Sequence, residues 1–326
     1  MRRREFLGVL GSAAVLLPAA HGQQAMPSIG FLGSESPQRA AGLLGVFHQG
    51  LGELGFAEGQ NVTVEYRWAE GQNDRLPGLV ADLVRRGVSV IAAPATTPGA
   101  LAAKAATATI PIVVFTAGDP VALGLVASLN RPGGNITGTT SLAGELAPKR
   151  LELMREVVPT ARTMALLINP TNPTLMSATT KEAEAAAHVL GIDLHILHAG
   201  SDREFDTVFA RLAELRASGL VIAVDSFFTA RRAQLAQQAL RHRVPAIYQS
   251  REFAVAGGVM SYGGSLADGF RLVGLYTGRI LKGEKPADLP VVQVSKVELI
   301  VNLRVAKTLG LTVPLSVLGR ADEAIE

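Results

Sequence analysis

Gly87-Val88-Ser89-Val90-Ile91-Ala92-Ala93-Pro94-Ala95-Thr96-Thr97-Pro98 is a short apolar run closed by a turn signal and followed by an alanine-rich stretch. It reads as a buried strand over 88–92 leading into a helix over 98–108. Ile110-Pro111, a strand over 112–115 and Gly118-Asp119 follow. The same plan returns as Gly219-Leu220, a strand over 220–224, Asp225-Ser226, a helix over 228–241, Val244-Pro245, a strand over 246–248 and Ser250-Arg251-Glu252. Gly87 to Pro111 spans 24 residues and Gly219 to Pro245 spans 26. Each copy then reaches a further short strand, at 135–138 and at 257–261.

Outward from these copies the alternation continues. Strands are expected over 29–32, 62–66, 164–168 and 194–197, and helices over 39–54, 76–85, 175–190, 205–216 and 266–281. Strands alternating with helices of this length imply βαβ units and parallel sheets. The expected fold is α/β: two similar doubly wound lobes with parallel sheets, joined by a multi-strand hinge. The boundary is expected near Thr139 to Leu146. Lobe one would comprise 27–140 plus about 266–290, and lobe two 141–265 plus about 291–326. A third crossing near 291–295 would complete a three-strand hinge.

Composition narrows the classes. Of 326 residues, 48% are hydrophobic, 18% charged and none is cysteine. Zero cysteine excludes a disulfide scaffold, a thiolate zinc site, an iron–sulfur cluster and a cysteine nucleophile. Arg2, Arg3 and Arg4 precede an apolar run over 6–17 and Pro18-Ala19-Ala20-His21-Gly22, the layout of a secretory signal cleaved near Gly22. Arg3-Arg4-Glu5-Phe6-Leu7 fits the twin-arginine pattern, with an ordinary secretory signal as the alternative. Residues 1–22 hold three Arg and one Glu, so two of the three net positive charges belong to this segment. The rest of the chain is close to neutral, which gives no support to a nucleic-acid partner. Arg231-Arg232 and Arg241-His242-Arg243 read as solvated helix faces.

In parallel α/β sheets ligands sit beyond the carboxyl ends of the strands. The expected loops there are Ser34-Glu35-Ser36-Pro37, Thr96-Thr97-Pro98, Gly118-Asp119-Pro120 and Asn169-Pro170-Thr171-Asn172-Pro173, each placing a capping residue before a proline that opens a helix. Capping accounts for any one of them. Several capped N-termini facing one cleft would also bind an anionic group such as a carboxylate. Asp119 and Asp225 either cap helices or accept from a ligand ammonium. Phe227, Phe228, Tyr248 and Tyr262 either pack in the core or form a stacking wall. There is no G-x-S-x-G elbow, P-loop or dinucleotide fingerprint, and the six His are scattered. His195 and His198 lie three apart in an expected strand and so point to opposite faces. No metal or cofactor is expected.

Ile29-Gly30-Phe31-Leu32-Gly33, Leu51-Gly52-Glu53-Leu54-Gly55-Phe56, Arg67-Trp68-Ala69-Glu70-Gly71, Asn130-Arg131-Pro132-Gly133-Gly134-Asn135 and the tail 318–326 resemble the ABC-transporter substrate-binding proteins of the tryptophan/tyrosine-binding type. The resemblance implies the type I periplasmic-binding fold and no enzymatic activity. It implies a monomer in the periplasm that captures an amino acid or related carboxylate and delivers it to membrane permease and ATPase subunits. Carried over by position, it places Ser34, Ser36, Thr96, Thr97, Gly118 and Asp119 of lobe one and Asn169, Asn172, Asp225, Phe227, Ser250 and Tyr262 of lobe two around the ligand. Thr96 and Thr97 would hold a carboxylate, and Asp225 or Asp119 an ammonium. An exported sensor module and a two-lobed α/β enzyme remain alternatives.

Overall fold

A computed structural model describes residues 26–141 and 143–326. The expected signal segment, 1–22, lies outside the described residues. In chain order the first sheet's strands and helices are β1 (Ser28–Gly33), α1 (Pro37–Gly52), β2 (Thr63–Trp68), α2 (Leu76–Arg85), β3 (Val90–Ala93), α3 (Thr97–Ala106), β4 (Ile112–Thr116) and β5 (Ile136–Thr140). The second half runs α4 (Ala147–Val157), β6 (Thr163–Ile168), α5 (Pro173–Leu190), β7 (Asp193–His198), α6 (Glu204–Glu214), β8 (Leu220–Ile222), α7 (Ser226–Ala230), α8 (Arg232–Arg241), β9 (Ala246–Tyr248), α9 (Arg251–Val255) and β10 (Met260–Gly264). Then come α10 (Leu266–Leu281), β11 (Val292–Gln293), β12 (Val297–Asn302), α11 (Leu303–Thr308), α12 (Leu315–Leu318) and β13 (Glu323–Ile325).

The first sheet is ordered β11-β5-β4-β3-β1-β2 and the second β13-β12-β10-β9-β8-β6-β7. Stripped of the late strands, both have one order: the second strand outermost, then first, third, fourth and fifth. Pairing is parallel throughout except for β10 with β12. Each sheet therefore reverses direction once, between β1 and β3 and between β6 and β8. The crevice beyond that reversal is where such sheets take ligands. The fully buried strands, such as β3 (VIAA) and β4 (IVVFT), read as continuous apolar runs because helices cover both faces.

The chain passes between the sheets at three places that lie side by side. The backbone N–H of Ser141 donates to the Thr116 carbonyl, that of Ser265 to the Lys296 carbonyl at 3.1 Å, and that of Val294 to the Thr140 carbonyl at 2.8 Å. β11 adds to β5, so the chain leaves the first sheet between Gln293 and Val297.

Two local expectations differ. The helix expected over 228–241 is split at Arg231, whose backbone leaves helical values and whose guanidinium lies 3.9 Å above the Phe227 ring. No helix follows Pro120. Asp119 Oδ1 accepts from the Val121 N–H at 2.8 Å, and the turn ends at Gly124 with φ 67°. An acid before a proline starts a helical turn, but the following Leu-Gly does not continue it.

Helix α10 returns from lobe two to pack against α1 of lobe one, and glycines make the approach possible. A Cβ on Gly274 would sit 2.1 Å from the Phe47 carbonyl oxygen, and one on Gly50 2.1 Å from that of Arg271. Gly42, on the same α1, has nothing within 4 Å. Gly274→Ala is expected to destabilise lobe one by ~1–3 kcal/mol through overpacking. Gly42→Ala should stabilise by up to ~1 kcal/mol through helix propensity. Urea denaturation of the two variants checks both signs.

Candidate functional site

The strand-end loops of the two sheets face one another around a cavity of about 590 Å3, part of it open to solvent. Lobe one contributes Ala95, Thr97, Pro98, Phe115 and Ser141, and α10 contributes Leu266. Lobe two contributes Asn172, Leu175, Val224, Asp225, Ser226, Thr229, Gln249 and Ser250. Ala95 is held at φ 54°, a left-handed conformation costly for a residue with a Cβ. It sits at the bend that takes the chain from β3 into α3 under the cleft.

Asp225 is 5% exposed and caps α7. Its Oδ1 accepts from Asn169 Nδ2 at 2.9 Å and from the Phe227 N–H at 2.8 Å. Its Oδ2 takes one long hydrogen bond, 3.4 Å, from Asn172 Nδ2. Asn169 is itself oriented, because its Oδ1 accepts from the N–H and hydroxyl of Thr171. Burial pushes the Asp225 carboxyl above its ordinary range, and these donors, with the Arg231 charge, oppose the rise. Among the described residues lining the cavity Asp225 is the one ionisable group. Around it Ser226 Oγ, Gln249 Oε1 and Ser250 Oγ are buried without a hydrogen-bond partner among the described residues. Buried polar groups are ordinarily paired, so these three give the cavity wall unspent hydrogen-bonding capacity.

The expected site residues divide. Thr97, Asn172, Asp225 and Ser250 meet in this cavity. Asn169 stands one layer behind, in a recess with Asp225. Gly118 and Asp119 line an adjoining recess that shares Thr97 and Leu175. Ser34 lines a second compartment on the other side. Thr96 is fully buried and spends its hydroxyl on the Gly99 N–H as the α3 cap, which leaves Thr97 at the cavity wall. Ser36 stands at the α1 cap position without a side-chain capping bond, outside these cavities. Phe227 packs in the core with its ring centroid 5.6 Å from that of Phe205, and Tyr262 joins the other core cluster of lobe two. Neither forms the stacking wall. Ser141 and Gln249 follow β5 and β9 directly, so strand-end position alone could have found them. Phe115 and Leu266 carry no such signal.

The lobes touch beside the cavity. Arg232 Nη1 donates to Glu35 Oε2 at 2.8 Å, and Arg232 Nη2 to the Arg39 carbonyl at 3.3 Å. Arg39 reaches back to the Ala230 carbonyl, and Arg231 lies 3.5 Å from the Gly71 carbonyl. Glu35 is 7% exposed. Its burial raises the carboxyl, while Arg232 counteracts the rise.

Residues 35–325 match the sequence profile described as ABC transporter substrate binding protein. The chain belongs to this family. A tyrosine-binding protein of Clostridioides difficile is 24% identical over 278 residues, 81% of this chain and 75% of that one. Among solved structures, an ABC domain in complex with L-Trp from Streptococcus pneumonia superposes with a TM-score of 0.82 at 24% identity, covering 92% of this chain and 99% of that one. A ligand-free, open structure of a substrate binding protein with adhesive properties from Clostridium difficile gives 0.64 at 23% identity, with the same coverages. The expected family and two-lobed α/β fold are thereby established for this substrate binding protein, and the family and these neighbours are binding proteins.

The Asp225 network generates a pH prediction. A carboxyl whose pKa is raised in the fold costs stability once the pH climbs above its ordinary range, and the cost vanishes on acidification. Asp225→Asn keeps an acceptor for Asn169 and the Phe227 N–H while removing the charge. Relative to the wild type, its ligand-free stability should rise as pH rises and fall back as pH is lowered toward the ordinary carboxylate range. Denaturant unfolding of both proteins across that range measures the difference.

Proposed function

We propose that this substrate binding protein is the exported solute receptor of an ABC importer and that it encloses an α-amino acid between its lobes. The observation that carries the reading is the charge pattern of the cavity. Asp225 is its one ionisable group, and hydroxyl and amide groups stand around it. A ligand ammonium fits Asp225 Oδ2, which carries a single long bond. Hydroxyls of Thr97, Ser141 and Ser250 suit the ligand carboxylate, since no Lys or Arg side chain lines the cavity among the described residues. Phe115, Leu175 and Leu266 offer apolar surface to a side chain. The amino-acid ligands in the names of two relatives support the same class.

Among the described residues no His or second carboxylate lines the cavity to activate a nucleophile, which supports capture without catalysis. The lobe-to-lobe hydrogen bonds, and the higher TM-score with the L-Trp complex than with the open structure, support a closed arrangement here. A ligand that touches both lobes shifts the population toward that arrangement. The basic and apolar start of the sequence supports export, cleavage near Gly22 and action in the periplasm. Permease and ATPase subunits would receive the ligand.

A thermal-shift screen of the mature chain against the twenty amino acids tests the ligand class. Binding at a hundredfold excess over Kd contributes ~2.7 kcal/mol, and Asp225→Asn is expected to abolish that shift. A null screen, or an undiminished shift in the variant, overturns the reading.

A further inference from the structure

At the outer edge of the first sheet, outside the cavities of the cleft, three side chains from separate elements converge on one point. His48 comes from α1, Tyr66 from the outermost strand β2, and Glu58 from the loop between them. His48 Nε2 lies 2.9 Å from Tyr66 Oη, Tyr66 Oη donates to Glu58 Oε2 at 2.8 Å, and Glu58 Oε2 lies 3.5 Å from His48 Nε2. The loop that presents Glu58 is held by its own bonds. Asn61 Oδ1 accepts from the Ala57 N–H and Asn61 Nδ2 donates to the Gly55 carbonyl, both at 2.8 Å. Gly59, at φ 77°, makes the turn and donates its N–H to the Val62 carbonyl at 2.9 Å. The His48 and Glu58 side chains are 28% and 41% exposed, so the point is open to solvent.

Two donors on one metal ion, with bonds of roughly 2.0–2.2 Å and angles from about 90° to tetrahedral, stand about 2.8–3.6 Å apart. All three separations here fall within that span. One imidazole nitrogen with a carboxylate and a phenol oxygen is a donor set for a divalent transition metal, Cu2+ above Zn2+, and too poor in oxygen for Mg2+ or Ca2+. Among the described residues one other His meets a carboxylate, His195 with Asp193 on β7. No three His, Asp or Glu side chains gather anywhere among the described residues; at His48 the third donor is a phenol. We propose that His48, Glu58 and Tyr66 form a binding site for a divalent transition-metal ion, Cu2+ by preference. The metal replaces the hydrogen bonds among the three side chains with three bonds of its own. The protons it displaces pass to water, and water fills the remaining positions. The three residues are scattered in sequence, and only the fold gathers them.

Trp68 is the chain's one tryptophan, and its ring stacks on that of Tyr66 with centroids 6.1 Å apart. Paramagnetic Cu2+ held at Tyr66 Oη should therefore quench tryptophan fluorescence. Titration of the chelator-treated mature chain with Cu2+ should show quenching that saturates at one ion per chain. Calorimetry should show Zn2+ competing for the same site more weakly, and Mg2+ and Ca2+ not competing. His48→Gln and Glu58→Gln should each weaken Cu2+ by at least ~10-fold, since in metal sites even the partners behind the ligands cost that much. Tyr66→Phe keeps the ring and removes the third donor, and should also weaken Cu2+; it and Glu58→Gln keep the site testable if His48→Gln does not fold. His195→Gln, at the other His–carboxylate contact, should leave both the quenching and the affinity unchanged. Quenching that does not saturate, competition by Ca2+ equal to that by Zn2+, an affinity that survives Glu58→Gln and Tyr66→Phe, or one lost on His195→Gln overturns the site.

Discussion

Parallel strands can be joined only by a crossover, and a right-handed crossover puts each helix on a fixed face of the sheet. A sheet that starts in its middle and grows both ways must therefore part its loops at one place. Here both sheets do so, between β1 and β3 and between β6 and β8. The loop after β3 carries Thr97, the loop after β6 carries Asn169 and Asn172, and the loop after β8 carries Asp225. The geometry of the cavity rests on this constraint, because these loops meet in one cleft beyond the switch points of the two sheets.

Burying Asp225 without a cation in the same wall is expensive unless its oxygens find donors. Asn169, itself fixed by Thr171, the Phe227 N–H and Asn172 supply them. The arginines stand outside the cavity, where Arg232 meets Glu35 across the lobes. Charge is thus divided between a cavity-lining acid held by neutral donors and an ion pair held by the approach of the lobes.

Much of this was legible in the residues. The repeat from Gly87 and Gly219 reflects two sheets of one order, and the helix over 266–281 begins where Ser265 accepts from the Asp268 N–H and stops before Gly283 at φ 98°. Asp225 and Asn172 could be placed because their loops follow strands. Phe227 and Tyr262 could not, since strand-end position does not tell which way a side chain faces. Phe227 turns to Phe205, and Tyr262 packs into the core of lobe two. Thr96 and Thr97 were ambiguous as a pair. The α3 boundary assigns the cap to Thr96 and frees Thr97, a difference of one residue that sequence patterns rarely resolve. Leu266 reaches the cavity only because the chain crosses back there.

The embrace of α1 by α10 has a consequence for how the molecule comes into being. Gly50 packs on Arg271 and Gly274 on Phe47, across more than two hundred positions of sequence, and β12 and the edge strand β13 of the other sheet are the last to be made. A ribosome that releases the chain from its N-terminus delivers neither lobe complete until nearly the whole polypeptide has emerged. Assembly then depends on contacts distant along the chain, which are slow to form and leave apolar surface bare in the meantime. A protein built this way is a natural client for chaperones while it folds, and its discontinuous halves make it a poor candidate for being cut into separately expressed domains.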